Sequence, residues 1–237
     1  MLKFLRISLF LIIVSQTGFP KNQAARYYSL ANNRVYDVEI ILFTYNNSLP
    51  VAENYSNKPI FQTDDAYFLE PKPTQLPFIK KSIDSSNNAE YTVKIDDKSS
   101  DIQVLAWFEH DKSFYKLNGI WEKLQKSNNI TPLIHKAWRQ PQTPFKKPEY
   151  VQIANYDGDL LPLPDLTVTG KVALSKGRFL HFGHKLNLFR TFVDSIGNPK
   201  NIIFALTERK QVKPNELHYF DSPWFGSIVK ITKVTGE

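Results

Sequence analysis

The stretch Leu166 to Leu188, LTVTGKVALSKGRFLHFGHKLNL, places Leu166, Val168, Val172 and Leu174 on one face of an extended chain. After Lys176-Gly177 the same period resumes with Leu180, Phe182, Leu186 and Leu188. Side chains alternate across a strand, so two such runs joined by a tight turn predict an antiparallel hairpin with one buried face. Working outward, Ile130 to Trp138 alternates in the same way, and Val35 to Tyr45 (VYDVEIILFTY) is rich in β-branched and aromatic residues. Ile202 to Gln211 and Glu216 to Ile231 read as strands on either side of Lys213-Pro214-Asn215. Pro223 lies inside the last run, where a residue without an N–H predicts a bend or bulge.

One segment has a different period. Leu117, Ile120, Trp121 and Leu124 fall at i, i+3, i+4 and i+7, with Asp111 or Ser113 as caps and Ser127-Asn128-Asn129 as the stop. That spacing predicts an amphipathic helix. Residues 46–101 are punctuated by Pro50, Pro59, Pro71, Pro73 and Pro77 and read as largely loop. Two apolar clusters within them, Ala66 to Leu69 and Leu76 to Ile79, are candidates for extended pieces along a sheet. The expected fold class is α+β: mostly antiparallel sheet, one main amphipathic helix and a long proline-rich loop region.

The N-terminus carries Lys3 and Arg6, then the apolar run Ile7 to Val14, then a polar stretch to Ala25. This order reads as a secretory signal peptide, too short in its apolar part to span a bilayer. Residues 1–25 are assigned to the leader, with cleavage after Ala24 or Ala25 and Gly18 as the alternative, and residues 26–237 to a single exported domain. The chain has no cysteine. Disulfides, thiolate metal sites, a catalytic cysteine and a lipidated N-terminal cysteine are therefore excluded. Export without cysteine points to a periplasm, where a chain of this length is stabilised by its core alone.

The formal charge is +7. Three basic residues leave with the leader, and the remainder is uneven: residues 26–105 hold 8 basic and 11 acidic side chains, residues 106–237 hold 19 and 12. Basic character belongs to the C-terminal, β-rich part.

Catalytic signatures are weak. His181 and His184 are the closest histidine pair, but i and i+3 on a strand face opposite ways unless Gly183 forms a bulge. They read as structural histidines, and neither a metal nor a cofactor is expected. No G-x-S-x-G elbow and no glycine-rich phosphate loop occurs. Asp157 and Asp159 read as a turn built on Asp-Gly.

Two dense constellations remain. Leu133 to Pro141 (LIHKAWRQP) contains Trp138 and Arg139, and Glu208 to Gly226 (ERKQVKPNELHYFDSPWFG) contains Glu208, Arg209, His218, Tyr219 and Trp224. Aromatic faces beside guanidinium groups can hold sugars and carboxylates, by stacking and by paired hydrogen bonds. The same composition suits single-stranded nucleic acid. It also suits a sheet core, where Trp and Tyr are common and Arg209 has Glu208 and Glu216 to pair with.

These segments resemble the CsiV family of periplasmic peptidoglycan-binding proteins of gamma-proteobacteria. The likeness rests on Tyr36-Asp-Val-Glu-Ile-Ile-Leu-Phe43, on Leu133 to Pro141 after the helix, and on Phe179-Leu-His181. Glu208-Arg209, Glu216-Leu-His-Tyr-Phe-Asp221, Pro223 and Phe225-Gly226 complete it. The chain departs from the family pattern at Lys210 and Lys213, where arginine is usual, and at Ser222, where histidine is common before the proline. The resemblance implies a noncatalytic protein of the envelope that binds peptidoglycan and associates with division and wall-synthesis proteins. Among these it implies an outer-membrane lipoprotein activator of a penicillin-binding synthase. The alternative expectation is an envelope protein-docking module without glycan affinity. Neither reading involves nucleic acid, since export separates the protein from it. The candidate ligand-binding residues are Trp138, Arg139, Glu208, Arg209, His218, Tyr219 and Trp224.

Overall fold

The structure is a computed structural model and describes residues 21–22, 24–46, 61–73, 102–155, 165–193 and 196–235. Its strands are β1 (Lys21–Asn22), β2 (Arg26–Ser29), β3 (Val35–Tyr45), β4 (Ala66–Phe68), β5 (Gln103–Ala106), β6 (Phe108–Glu109) and β7 (Ile130–Pro141). They continue as β8 (Thr143–Pro144), β9 (Tyr150–Ala154), β10 (Leu166–Lys176), β11 (Leu180–Val193), β12 (Pro199–Gln211), β13 (Leu217–Asp221) and β14 (Phe225–Lys233). Between β6 and β7 lie a 3-10 turn, Lys112–Phe114, and one helix, α1 (Asn118–Gln125).

The strands form a seven-stranded sheet in the order β1-β4-β9-β10-β11-β12, with β8 beside β10, and a five-stranded sheet in the order β13-β14-β3-β7-β6. A short β2-β5 pair completes them. Pairing is antiparallel except at β1-β4, β4-β9 and β8-β10. The hairpin read from Leu166 to Leu188 is present, with Leu166 opposite Arg190 and Lys176 opposite Leu180 in one unbroken register. That continuity leaves no bulge at Gly183, so His181 and His184 face opposite sides of the sheet.

The residues on the alternating faces make one core. Val38, Ile40, Leu42, Trp138, Val229 and Ile231 from the smaller sheet meet Val172, Leu174, Phe182, Leu186, Leu188, Phe204 and Leu206 from the larger. Burying each such side chain contributes about 1.5–3 kcal/mol relative to exposure, which makes this interface the main stabilising element. His184 bridges the sheets: its Nε2 lies 2.9 Å from Ser227 Oγ on β14. Its Nδ1 is buried without a hydrogen-bond partner among the described residues. An unpaired lone pair costs less than an unpaired N–H, so the arrangement favours the Nε2–H tautomer donating to the hydroxyl. Burial, with the charge of Lys210 adding to it, pushes the imidazole pKa down to about 3 and keeps it neutral. Gly170 permits the closest backbone approach in this core. Its φ is +152°, and a Cβ there would lie 2.2 Å from the Lys185 carbonyl oxygen.

Three readings change in detail. The helix is two turns long, and Asp111 caps the preceding 3-10 turn, accepting from Ser113 N at 2.9 Å. Leu117 stands at the start of α1 and makes no side-chain cap. Pro223 does not bend a strand: Asp221 pairs with Gly226, and the proline sits in the hairpin turn between β13 and β14, where no N–H is required of it. Lys213-Pro214-Asn215 carries the chain from the edge of one sheet to the edge of the other, with Asn215 at φ +65°.

Of the proline-rich stretch, residues 61–73 are described, and β4 runs along β9 as an extended piece, with Ala66 opposite Tyr150. Leu76–Ile79, Asp157, Asp159 and most of residues 1–25 lie outside the described residues. Lys21–Asn22 pairs with Tyr67–Phe68, so a cut after Gly18 retains β1 and a cut after Ala24 or Ala25 removes it.

Candidate functional site

The first constellation is half of a strand pair. β7 lies against β3 with Asp37 opposite Arg139, Val38 opposite Trp138 and Ile41 opposite His135. Trp138 faces the core, is fully buried, and donates from Nε1 to Gln140 Oε1 at 2.6 Å. Arg139 faces the other way and closes its guanidinium on Asp37, Nε to Oδ1 at 2.7 Å and Nη2 to Oδ2 at 3.0 Å. His110 donates to the same Oδ1 at 2.7 Å. One pleat along, Glu39 accepts from His135 at 2.7 Å, Leu117 N at 2.8 Å and Lys116 N at 2.9 Å. Glu39 therefore supplies the acceptor that the start of α1 lacks in its own sequence.

Burial raises the pKa of both carboxyls, but the donors outweigh it. Asp37 is held below the usual carboxylate range by His110 and Arg139, and Glu39 by His135 and the two N–H groups. Trp138 thus has no exposed face, and the Arg139 fork is engaged within the fold. As candidate ligand contacts, both are placed by the structure in internal roles.

The second constellation is spread over two sheet edges and the turn between them. Trp224 is buried and stacks on Phe204, with centroids 4.1 Å apart. Glu208 pairs with Lys210 at 3.3 Å. Lys210 also bonds the Tyr219 carbonyl and lies 4.1 Å from the centroid of Phe220, tying the β12 edge to the β13 edge. The His218 ring closes the turn, with Nε2 2.9 Å from Lys213 O and 3.1 Å from Lys213 N. Tyr219 is exposed and bonds Tyr45, whose hydroxyl donates to Asp221 at 2.7 Å. Burial first, then these hydrogen bonds, raise the Tyr45 pKa.

Arg209 has a different environment. It crosses Gly183, where a Cβ would come within 3.3 Å of Arg209 Cγ, and so reaches Phe145 and Ser175. Its Nη2 donates to Phe145 O at 2.8 Å and to Ser175 Oγ at 2.6 Å, and its guanidinium lies 3.7 Å from the Phe145 centroid. His181 packs edge-on to the same ring at 4.7 Å. Phe145 and Phe179 are both substantially exposed, and Arg178 lies over Phe179 at 5.2 Å. Lys146 and Lys147 follow Phe145 on the surface.

The end of the sandwich that holds the β10-β11 turn therefore presents aromatic rings with cations beside and over them. Arg209 is the one candidate from the sequence at this end with an exposed guanidinium stacked on a ring. Phe145, Arg178 and Phe179 were missed as site residues. The Pro144-Phe-Lys-Lys-Pro148 run was the available signal, and only the fold brings it beside Arg209. Among the described residues, no group of three His, Cys, Asp or Glu side chains is placed to hold a metal ion, and no helix is long and apolar enough to cross a membrane.

Fold and surface together define a two-sheet, β-rich protein that carries exposed rings and cations at the end holding the β10-β11 turn. The chain belongs to the CsiV family of peptidoglycan-binding proteins, which matches it over residues 5–234, nearly its whole length. No curated protein and no solved structure matches it.

Proposed function

We propose that this chain is a noncatalytic, exported periplasmic protein that binds peptidoglycan through the end of the sandwich carrying Arg209 and Phe145. The observation that carries the reading is membership of a peptidoglycan-binding family over residues 5–234. The chemistry of that end supports it: exposed rings offer faces to sugars, and guanidinium and ammonium groups suit the carboxylates of the peptide stems. Of the other candidates, Glu208 precedes Arg209 on β12, His218 closes the turn at Lys213, and Tyr219 packs on Phe43 of the smaller sheet. Trp138, Arg139 and Trp224 hold the strands that position it.

In the same reading the protein serves division and wall synthesis, acting through an outer-membrane lipoprotein activator of a penicillin-binding synthase. The test of the binding role is cosedimentation of the purified protein with insoluble sacculi at low salt. Retention above that of a neutral control protein is expected, and retention no better than the control's contradicts the role. Release of soluble muropeptides during the incubation would contradict the noncatalytic part.

A second reading is favoured by one observation. Leu217 and Tyr219 are exposed on β13, an edge strand of the five-stranded sheet, as befits a protein-docking module. It predicts copurification of a protein partner, and pelleting with sacculi only while that partner is present.

A further inference from the structure

At the same end of the molecule, where β3 begins and β7 and β14 finish, lies a cleft of about 390 Å³. Its walls are the turn from Leu30 to Arg34, Ile102, Gln142 and the segment Lys233–Thr235. Backbone hydrogen bonds fix these pieces together. Leu30 N donates to Ile102 O, Gln142 N to Arg34 O, and Val234 N to Val35 O, each at 2.9 Å. The cleft is therefore preformed rather than dependent on a ligand to organise it.

Its chemistry is one-sided. Arg34 and Lys233 are exposed cations on its lining, and among the described residues no acidic side chain lines it. Asn32 and Asn33 add side-chain amides. Two cations suit a carboxylate.

The cleft also adjoins the aromatic surface. Pro141 pairs with Val35 in the smaller sheet and Thr143 with Ser175 in the larger, so the chain crosses between sheets here. Phe145 is three positions on from Gln142, at most about 10 Å of extended chain.

We infer that this cleft is the subsite for the peptide stem of peptidoglycan, with Arg34 and Lys233 taking a stem carboxylate. The inference rests on the wall-binding reading above and adds to it which part of the polymer this cleft takes. Sugar rings go to the Phe145 side, and the stem turns into the cleft.

The test uses the purified full chain and a fluorescent stem peptide with free carboxylates, in parallel with the same peptide fully amidated and with a glycan oligomer lacking stems. Binding by fluorescence anisotropy should weaken about tenfold in Arg34→Ala/Lys233→Ala, and the amidated peptide should bind the unmodified chain about that much more weakly. Equal binding of free and amidated peptides, unchanged affinity in the double variant, or binding of the bare glycan alone overturns the assignment. If sacculi still retain the chain while the free peptide does not bind, the cleft assignment fails and the wall-binding reading stands. If neither binds, both fail.

Discussion

Leu133–Pro141 and Glu208–Gly226 have similar compositions, each mixing aromatic, basic and histidine side chains, and the fold uses them in opposite ways. In the first, the neighbouring strand supplies Asp37 and Glu39, so Arg139 and His135 find their partners inside the protein. In the second, Arg209 lies on an edge strand, where a ring and two oxygens hold it in place and no carboxylate among the described residues pairs with it. What separates a structural arginine from an available one here is the residue across the ladder, which composition does not reveal.

The widest difference between the two regions should appear in stability. Glu39→Ala leaves His135 and two backbone N–H groups without their acceptor, and the expected loss is about 3–5 kcal/mol in urea unfolding. Trp138→Ala should cost a similar ~3–5 kcal/mol through the cavity it opens. A loss under about 1 kcal/mol for either would break the comparison, since it would mean that the first segment does not hold the core.

A smaller effect is expected with pH. Asp37 and Glu39 have folded-state pKa values below their ordinary 3.8 and 4.5, so their contribution is full above those values and is lost as pH falls through the depressed folded ones. His184 acts earlier: its pKa falls from 6.5 to about 3 on folding, so stability should decline from pH 6.5 downward. The slope is at most ~1.4 kcal/mol per pH unit for that one proton, and His184→Gln should flatten it between pH 6.5 and 4.5. An unchanged slope in that variant, measured by urea midpoints across the range, would remove His184 from the account.

Smallest of all should be the stability effect of Arg209→Ala, about 1 kcal/mol for hydrogen bonds at a surface site. A loss comparable to that of Glu39→Ala would place Arg209 with the structural arginines and erase the contrast.

The fold class was legible because alternation along Val35–Tyr45, Ile130–Trp138 and Leu166–Leu188 is a local property, fixed by which residues must face a core. Sheet order was not legible. Nothing local states that β3 lies between β7 and β14, or that β12 and β13 belong to different sheets. The helix was readable from four apolar positions, but its true N-terminal partner, Glu39, lies 78 residues from Leu117 in sequence. The candidate site was half legible for the same reason. Arg209 and the histidines stood out by type, whereas Phe145 acquires meaning only when Gly183 lets Arg209 pass over β11 to reach it.

Wall binding at the end holding Arg209 and Phe145 is measured by cosedimentation with sacculi of Arg209→Ala/Phe145→Ala beside the unaltered chain. Thermal unfolding of both proteins serves as the control. Most retention should be lost while the protein remains folded at the assay temperature; retention equal to that of the unaltered chain would contradict binding at this end.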